Sequence, residues 1–115
     1  MSNFSNFLKI PLAHRGLHDE HFDENSLSAF KAAVDQGYGI ELDVHLMRDG
    51  TLAVVHDDDL SRVAGLSRRI SEMTKDDLRE TALFLSKETV PTLAQVLEVV
   101  GGRVPLLIEM KVDGT

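Results

Sequence analysis

Polar and apolar residues alternate along residues 39–46, where Glu41, Asp43 and His45 occupy every second position with apolar residues between them. Alternate residues of a strand point to the same face, so the pattern predicts a strand with one polar and one apolar face. The stretch is too apolar for a strand exposed to water, and we therefore expect its acidic face to line a cavity. Two carboxylates two residues apart, within reach of an imidazole, are typical ligands for a hard divalent cation.

Short apolar runs predict three further strands, at residues 10–13, 52–56 and 105–111. All four predicted strands carry ionisable residues toward their C-terminal ends: His14 and Arg15, Glu41 and Asp43, His56 and Asp57, and Glu109 and Lys111. Chance would often place a histidine or a glutamate at one strand end, but rarely at all four. In a parallel α/β sheet these ends meet at one face, which is where the active site is expected.

Helices are predicted between the strands. Asn25 or Ser26 can cap a helix with apolar residues at helical spacing that ends at Gly37. Thr92 and Gln95 form a capping box for a helix that ends at residues 101–102.

A weaker capping box, Thr74 with Asp77, predicts a helix through about Leu85, and the polar residues 58–71 predict a long loop. Strands that alternate with helices favour an α/β protein with a mainly parallel sheet. One local signal conflicts with this picture, because Asp49-Gly50 is typical of a β-hairpin and would make the second and third strands antiparallel.

The length of 115 residues fits one domain, and the net charge of −7, from 12 basic and 19 acidic residues, disfavours nucleic acids and anionic membranes as partners. A small phosphate substrate stays compatible, since a bound cation can reverse the local field. The chain has no cysteine for a disulfide or thiolate site. Neither a convincing signal peptide nor a membrane-spanning apolar run is present, so we expect a cytoplasmic protein without stable membrane insertion.

Six short motifs carry a resemblance to a known family: HRG at 14–16, ENS at 24–26, ELDV at 41–44, a DG-then-HD pattern at 49–57, PTL at 91–93 and EMK at 109–111. In order and spacing they resemble the glycerophosphodiester phosphodiesterases. Asp23 stands where the family usually has proline, and Ser26 where it usually has threonine, but serine keeps the capping hydroxyl.

The resemblance implies a TIM-like (β/α) barrel. Because family members are about twice this length or more, residues 1–115 are expected to form the N-terminal half of the catalytic barrel domain, with about four strands. A barrel also requires the second and third strands to be parallel, and we expect them to be so despite the hairpin signal. The open first and fourth strands of a half barrel favour self-association.

The activity implied by the resemblance is metal-dependent hydrolysis of glycerophosphodiesters to sn-glycerol 3-phosphate and an alcohol. Three residues match the family's metal carboxylates: Glu41, Asp43 and Glu109. Two match its general acid and base, in an order that the sequence does not assign: His14 and His56. Two match residues that hold the substrate phosphate: Arg15 and Lys111. Three carboxylates without a thiolate suit Mg²⁺ or Ca²⁺.

Other interpretations stay open. The chain could be a catalytically silent metal- or phosphate-binding fragment, or a related barrel phosphodiesterase that acts on a phospholipid with a different head group. A zinc hydrolase built on His14, His18 and His21 is a third alternative, although their spacing fits no familiar zinc pattern. His45 matches no family site residue and is expected to be structural, while Asp57 is expected to orient His56 or cap a loop.

Overall fold

The computed structural model of the chain describes residues 12–16, 23–83 and 88–111. His18 and His21 lie outside these residues, as do residues 10 and 11 of the predicted first strand. Six strands are described: β1 (Leu12–His14), β2 (Gly39–Leu46), β3 (Leu52–Val54), β4 (Asp59–Leu60), β5 (Leu66–Arg69) and β6 (Leu106–Lys111). Four α-helices are described: α1 (Leu27–Asp35), α2 (Ser61–Ala64), α3 (Lys75–Arg79) and α4 (Leu93–Val100).

Strand β2 is the centre of a four-stranded sheet. It pairs in parallel with β1 along one edge and in parallel with β6 along the other. Strand β3 pairs with the C-terminal end of β2, on the same edge as β1. The prediction of an α/β protein whose sheet is mainly parallel is therefore confirmed.

The expectation that β2 and β3 run parallel is wrong, because the two strands pair antiparallel with Val44 opposite Val54. The link is a tight turn in which the amide of Met47 donates to the carbonyl of Thr51 at 2.8 Å. Gly50 supplies the positive φ of 88° that the turn requires. A parallel crossover needs a dozen or more residues, so the five-residue link allowed only a hairpin, as the local Asp-Gly signal indicated.

The apolar face of β2 packs against α1 and α4. Ile40, Leu42 and Val44 are fully buried there with Phe30 of α1 and Val96 of α4. Helix α4 begins at the predicted capping box, in which the amide of Gln95 donates to the Thr92 hydroxyl, and ends at Gly101 in the left-handed conformation. Helix α1 is capped by the Ser26 hydroxyl, which accepts from the amide of Ala29. This packing leaves the opposite, acidic face of β2 for the site.

The prediction of a long loop over residues 58–71 is wrong. Strands β4 and β5 form a small antiparallel sheet there, and α2 lies between them. A second apolar core, which includes Leu60, Val63 and Ile70, holds this segment together. Helix α3 begins at the predicted capping box of Thr74 and Asp77 but ends at Arg79, well before the expected residue 85. Among the described helices, none has the length and apolar character needed to cross a membrane.

Candidate active site

Three carboxylates converge on the polar face of the sheet. The parallel register places Asp43 of β2 beside Glu109 of β6, and Glu41 precedes Asp43 on the same face of β2. Each of the three side chains offers an oxygen that lies within 4.8 Å of the others. Within residues 12–16, 23–83 and 88–111, this is the only group of three or more candidate metal ligands so close together. The predicted convergence of Glu41, Asp43 and Glu109 is confirmed.

The electrostatics of this carboxylate cluster favour a cation. Glu41 and Asp43 are 9% and 1% exposed, so both carboxylates lie largely away from water. Burial, followed by the neighbouring charge of Asp43, raises the pKa of Glu41 above its usual value. A divalent cation relieves this like-charge repulsion, and carboxylate oxygens are the donors that Mg²⁺ and Ca²⁺ prefer. The residues therefore fit a hard divalent metal ion.

The two predicted catalytic histidines lie at or just after the ends of β1 and β3, which share one edge of β2. His14 lies at the end of β1 opposite Glu41, and its Nε2 atom is 3.5 Å from Oε1 of that residue. His56 follows β3, which returns along β2 until the amide of Val55 donates to the carbonyl of Asp43 at 3.0 Å. An antiparallel β3 thus brings His56 back to the level of the carboxylates. The C-terminal end of β3 does not, however, lie where it was expected, at the edge of the sheet where the parallel strands end.

His56 is held from two sides. Its Nδ1 atom lies 2.9 Å from Oδ1 of Asp57, so the predicted orienting role of Asp57 agrees with the geometry. The buried His45, on the polar face of β2, places its Nε2 atom 2.8 Å from the backbone carbonyl of His56. This contact is the structural role expected for His45. An ionised Asp57 requires Nδ1 of neutral His56 to carry the hydrogen, which leaves Nε2 as the basic nitrogen.

Two cations lie beside the cluster, as predicted for phosphate contacts. Nε of Arg15 lies 3.4 Å from Oδ2 of Asp43 and is a buried donor for which the described residues offer no hydrogen-bond partner. Nζ of Lys111 lies 2.8 Å from Oε1 of Glu109 and 4.0 Å from Oδ1 of Asp43. Lys111 lowers the pKa of Glu109, and Glu109 in turn raises the pKa of Lys111, so the pair stays charged.

The loop after β1 has a strained backbone at the site. Arg15 and Asn25 adopt positive φ angles of 56° and 52°, which is uncommon for residues other than glycine. The Arg15 amide donates to the Glu41 carbonyl at 2.7 Å, and the Asn25 amide donates to the Arg15 carbonyl at 2.8 Å. Gly16 is required because a Cβ there would lie 2.8 Å from the Cβ of Ala29. Strain of this kind persists where surrounding contacts hold it, and it is common at functional sites.

Sequence reasoning missed three residues that contact the site. Asn25 donates from Nδ2 to Oδ2 of Asp43 at 3.3 Å, and Glu24 pairs with Arg15 at 3.1 Å. Arg62, in the segment that was predicted to be a loop, pairs with both Glu24 and Asp57. The ENS motif marked the first two residues without assigning them a role at the site, and Asn25 was expected only as a possible helix cap. No local signal distinguished Arg62 from other surface arginines.

Comparison with known proteins finds relatives of this chain. The model of the glycerophosphoryl diester phosphodiesterase family matches residues 14–114. A glycerophosphodiester phosphodiesterase of Bacillus altitudinis is 36% identical over 110 residues, which cover 90% of this chain and 44% of the relative. A lysophospholipase D of Rattus norvegicus is 35% identical over 106 residues, which cover 90% of this chain and 32% of the relative.

Solved structures show the same fold. An Oleispira antarctica phosphodiesterase, in complex with the product sn-glycerol-3-phosphate, matches with a TM-score of 0.81 and 31% identity over 96% of this chain and 47% of its own. A glycerophosphodiester phosphodiesterase of Thermotoga maritima matches with a TM-score of 0.78 and 39% identity over 90% of this chain and 44% of its own. The chain thus spans under half the length of these relatives, and its fold corresponds to part of their TIM barrel.

Proposed function

This chain belongs to the glycerophosphoryl diester phosphodiesterase family, and we propose that the protein hydrolyses glycerophosphodiesters to sn-glycerol 3-phosphate and an alcohol. The observation that carries the proposal is the carboxylate cluster on the polar face of the sheet, with His14 3.5 Å from Glu41 and with His56 next to Val55, whose amide donates to the carbonyl of Asp43. Such an arrangement combines a cation site with groups that can transfer protons near neutral pH.

The proposed cofactor is Mg²⁺ or Ca²⁺, held by Glu41, Asp43 and Glu109. When bound, it supplies positive charge that neutralises the substrate phosphate and polarises its oxygens. Burial and the neighbouring charge of Asp43 raise the pKa of Glu41, and a bound cation would offset both effects. Glu109 contributes a carboxylate from the exposed side of the site.

His14 and His56 serve as the general acid and general base. Hydrolysis of a phosphodiester requires one group to remove a proton from the attacking oxygen and another to protonate the leaving oxygen. The contact with Asp57 leaves Nε2 of His56 for this exchange. Each histidine is expected to contribute about two to four orders of magnitude in rate.

Arg15 and Lys111 bind the phosphate and offset the negative charge that develops during the reaction. Arg15 is suited to this role because its buried Nε–H group has no hydrogen-bond acceptor among the described residues. A phosphate oxygen would satisfy that donor, and buried donors are rarely left unsatisfied.

Residues 1–115 are proposed to form the N-terminal half of a catalytic barrel domain. Among the described residues, β6 pairs only with β2, and its side chains Leu107, Ile108 and Met110 are exposed on both faces. An open apolar edge of this kind favours pairing with another chain. We propose that the chain self-associates through this edge, that no nucleic acid is a partner, and that the protein is cytoplasmic.

A lysophospholipid is a second candidate substrate, since relatives at 35% identity are named lysophospholipase D. It contains the same phosphodiester linkage and differs by an acyl chain. Parallel assays with glycerophosphocholine and lysophosphatidylcholine distinguish the two substrates.

The proposal is tested by incubating the chain with glycerophosphocholine and 5 mM Mg²⁺ or Ca²⁺ (concentrations on the order of millimolar saturate typical weak sites). Release of sn-glycerol 3-phosphate is followed with a coupled dehydrogenase. His14→Ala should lower the rate of release by about two to four orders of magnitude, while Glu98→Gln, on the exposed side of α4, should not change it. Equal release by the wild type and His14→Ala would refute the catalytic role, and ion binding without release by the wild type would favour a silent binding fragment.

A further inference from the structure

Arg62 of α2 joins two loops that both reach the candidate active site. Its Nε donates to Oδ2 of Asp57 at 2.9 Å, and its Nη2 lies 3.3 Å from Oδ1 of the same carboxylate. Its Nη1 and Nη2 donate to the two oxygens of Glu24 at 2.6 and 2.9 Å. One guanidinium therefore binds two carboxylates in bidentate fashion, a geometry that lysine cannot reproduce.

Both carboxylates lead to residues of the proposed chemistry. Asp57 contacts Nδ1 of His56 at 2.9 Å, and Glu24 accepts from Nη1 of Arg15 at 3.1 Å. The chain of contacts from His56 to Arg15 therefore passes through the guanidinium of Arg62.

The environment makes this network more than a surface ion pair. The Glu24 side chain is only 10% exposed and that of Asp57 26%, although Arg62 itself is 46% exposed. Hydrogen bonds from Arg62 are the largest influence on Asp57, whose pKa they lower, so this carboxylate remains an acceptor for the histidine.

We propose that Arg62 is a positioning residue that holds Asp57 against Nδ1 of His56 and, through Glu24, holds the side chain of Arg15. By keeping the hydrogen of neutral His56 on Nδ1, it directs the basic Nε2 atom to proton transfer. The catalytic importance of this role rests on the proposed function, but its effect on the tautomer of His56 can be measured without turnover.

The alternative is that Arg62 only ties the surface together. Exposed ion pairs contribute little to stability. If Arg62 has only this role, its removal would leave the imidazole of His56 unchanged. Arg79 provides a matched control, because it is 69% exposed and pairs with the exposed Asp76 one turn away.

The test is ¹⁵N NMR of the histidine rings in the full chain at pH 7.5, with the His56 signals assigned from a His56→Gln sample. In the wild type and in Arg79→Gln, neutral His56 should carry its hydrogen on Nδ1. In Arg62→Gln, the signals should shift toward a mixture of the two tautomers. If Arg62→Gln does not fold, Arg62→Lys should show the same shift at smaller size, because one ammonium cannot bind both carboxylates in bidentate fashion.

Unchanged His56 signals in the folded Arg62 variant, or equal shifts in the Arg62 and Arg79 variants, would overturn the proposal. In the phosphodiesterase assay, Arg62→Gln should lower kcat about 10- to 100-fold with a smaller change in KM, as for residues that orient catalytic groups. Absence of turnover in the wild type would refute the proposed function and leave the NMR result standing, so the two failures are distinguishable.

Discussion

The substitution Glu41→Gln tests two effects of the carboxylate cluster separately. One is the repulsion between its charges, and the other is its proposed binding of a divalent cation. The substitution keeps the size of the side chain, and the amide oxygen can still accept the contact that the Arg15 amide makes with Oε1 at 3.3 Å. It removes one of two neighbouring charges that are largely buried. The expected result is therefore opposite in the absence and in the presence of a divalent cation.

The magnitude follows from the distance between the charges. Two unit charges no more than 4.8 Å apart repel each other by at least about 3 kcal/mol at an effective dielectric constant of about 20. Arg15, 3.4 Å from Asp43, and dissolved salt offset part of this repulsion, so we expect Glu41→Gln to raise the free energy of unfolding at pH 7 by about 1–2 kcal/mol. For a domain of this size, roughly 4 °C in Tm corresponds to each kcal/mol.

The assay is thermal unfolding, first with EDTA and then with Mg²⁺ or Ca²⁺. An ion at about 100 times its Kd stabilises the folded wild type by about 2.7 kcal/mol, whereas Glu41→Gln, with one ligand fewer, should gain much less. Glu98→Gln, on the exposed side of α4, controls for the loss of one negative charge. The reasoning would be refuted if Glu41→Gln unfolded at a lower temperature than the wild type in EDTA, or if it kept the full ion-dependent increase.

Three further predictions concern the fold. Leu42→Ala, at a fully buried position, should lower the free energy of unfolding in urea by about 2–5 kcal/mol, whereas Leu46→Ala, 58% exposed on the same strand, should change it by less than about 0.5 kcal/mol; equal effects would contradict the assigned core. Asp49 accepts the amides of Lys75 and Thr51, which lower its pKa, so its stabilisation is present above its unfolded pKa of about 3.9 and is lost as pH falls through the lower folded value. The Tm difference between the wild type and Asp49→Ala should therefore shrink below about pH 4, and a difference constant from pH 7 to pH 3 would argue against the contact. Ile108→Lys on the exposed edge should shift self-associated chain toward monomer in light scattering, and a wild type already monomeric at high concentration would exclude the proposed self-association.

Several parts of the molecule were predictable because their signals lie within a few residues. The caps of α1 and α4, at Ser26 and Thr92, are local hydrogen bonds between a side chain and a nearby amide. The alternation in β2 assigned its polar face before any contact was known, because side-chain direction along a strand has a period of two. The hairpin at Asp49-Gly50 was also present in the local sequence, and the expectation drawn from the barrel wrongly overrode it.

Tertiary structure decided what depends on distant segments. The register that places Asp43 beside Glu109 joins residues far apart in the chain, and so does the Arg62 contact with Glu24. Strands β4 and β5 are too short and polar to be recognised alone, and they form because Leu60, Val63 and Ile70 share a core. By itself the sequence determined which residues share the polar face of β2 and where α1 and α4 begin, since helix caps and strand faces follow from neighbouring residues. Only packing between segments determined which of those residues meet, because the free energy of such contacts depends on the whole fold.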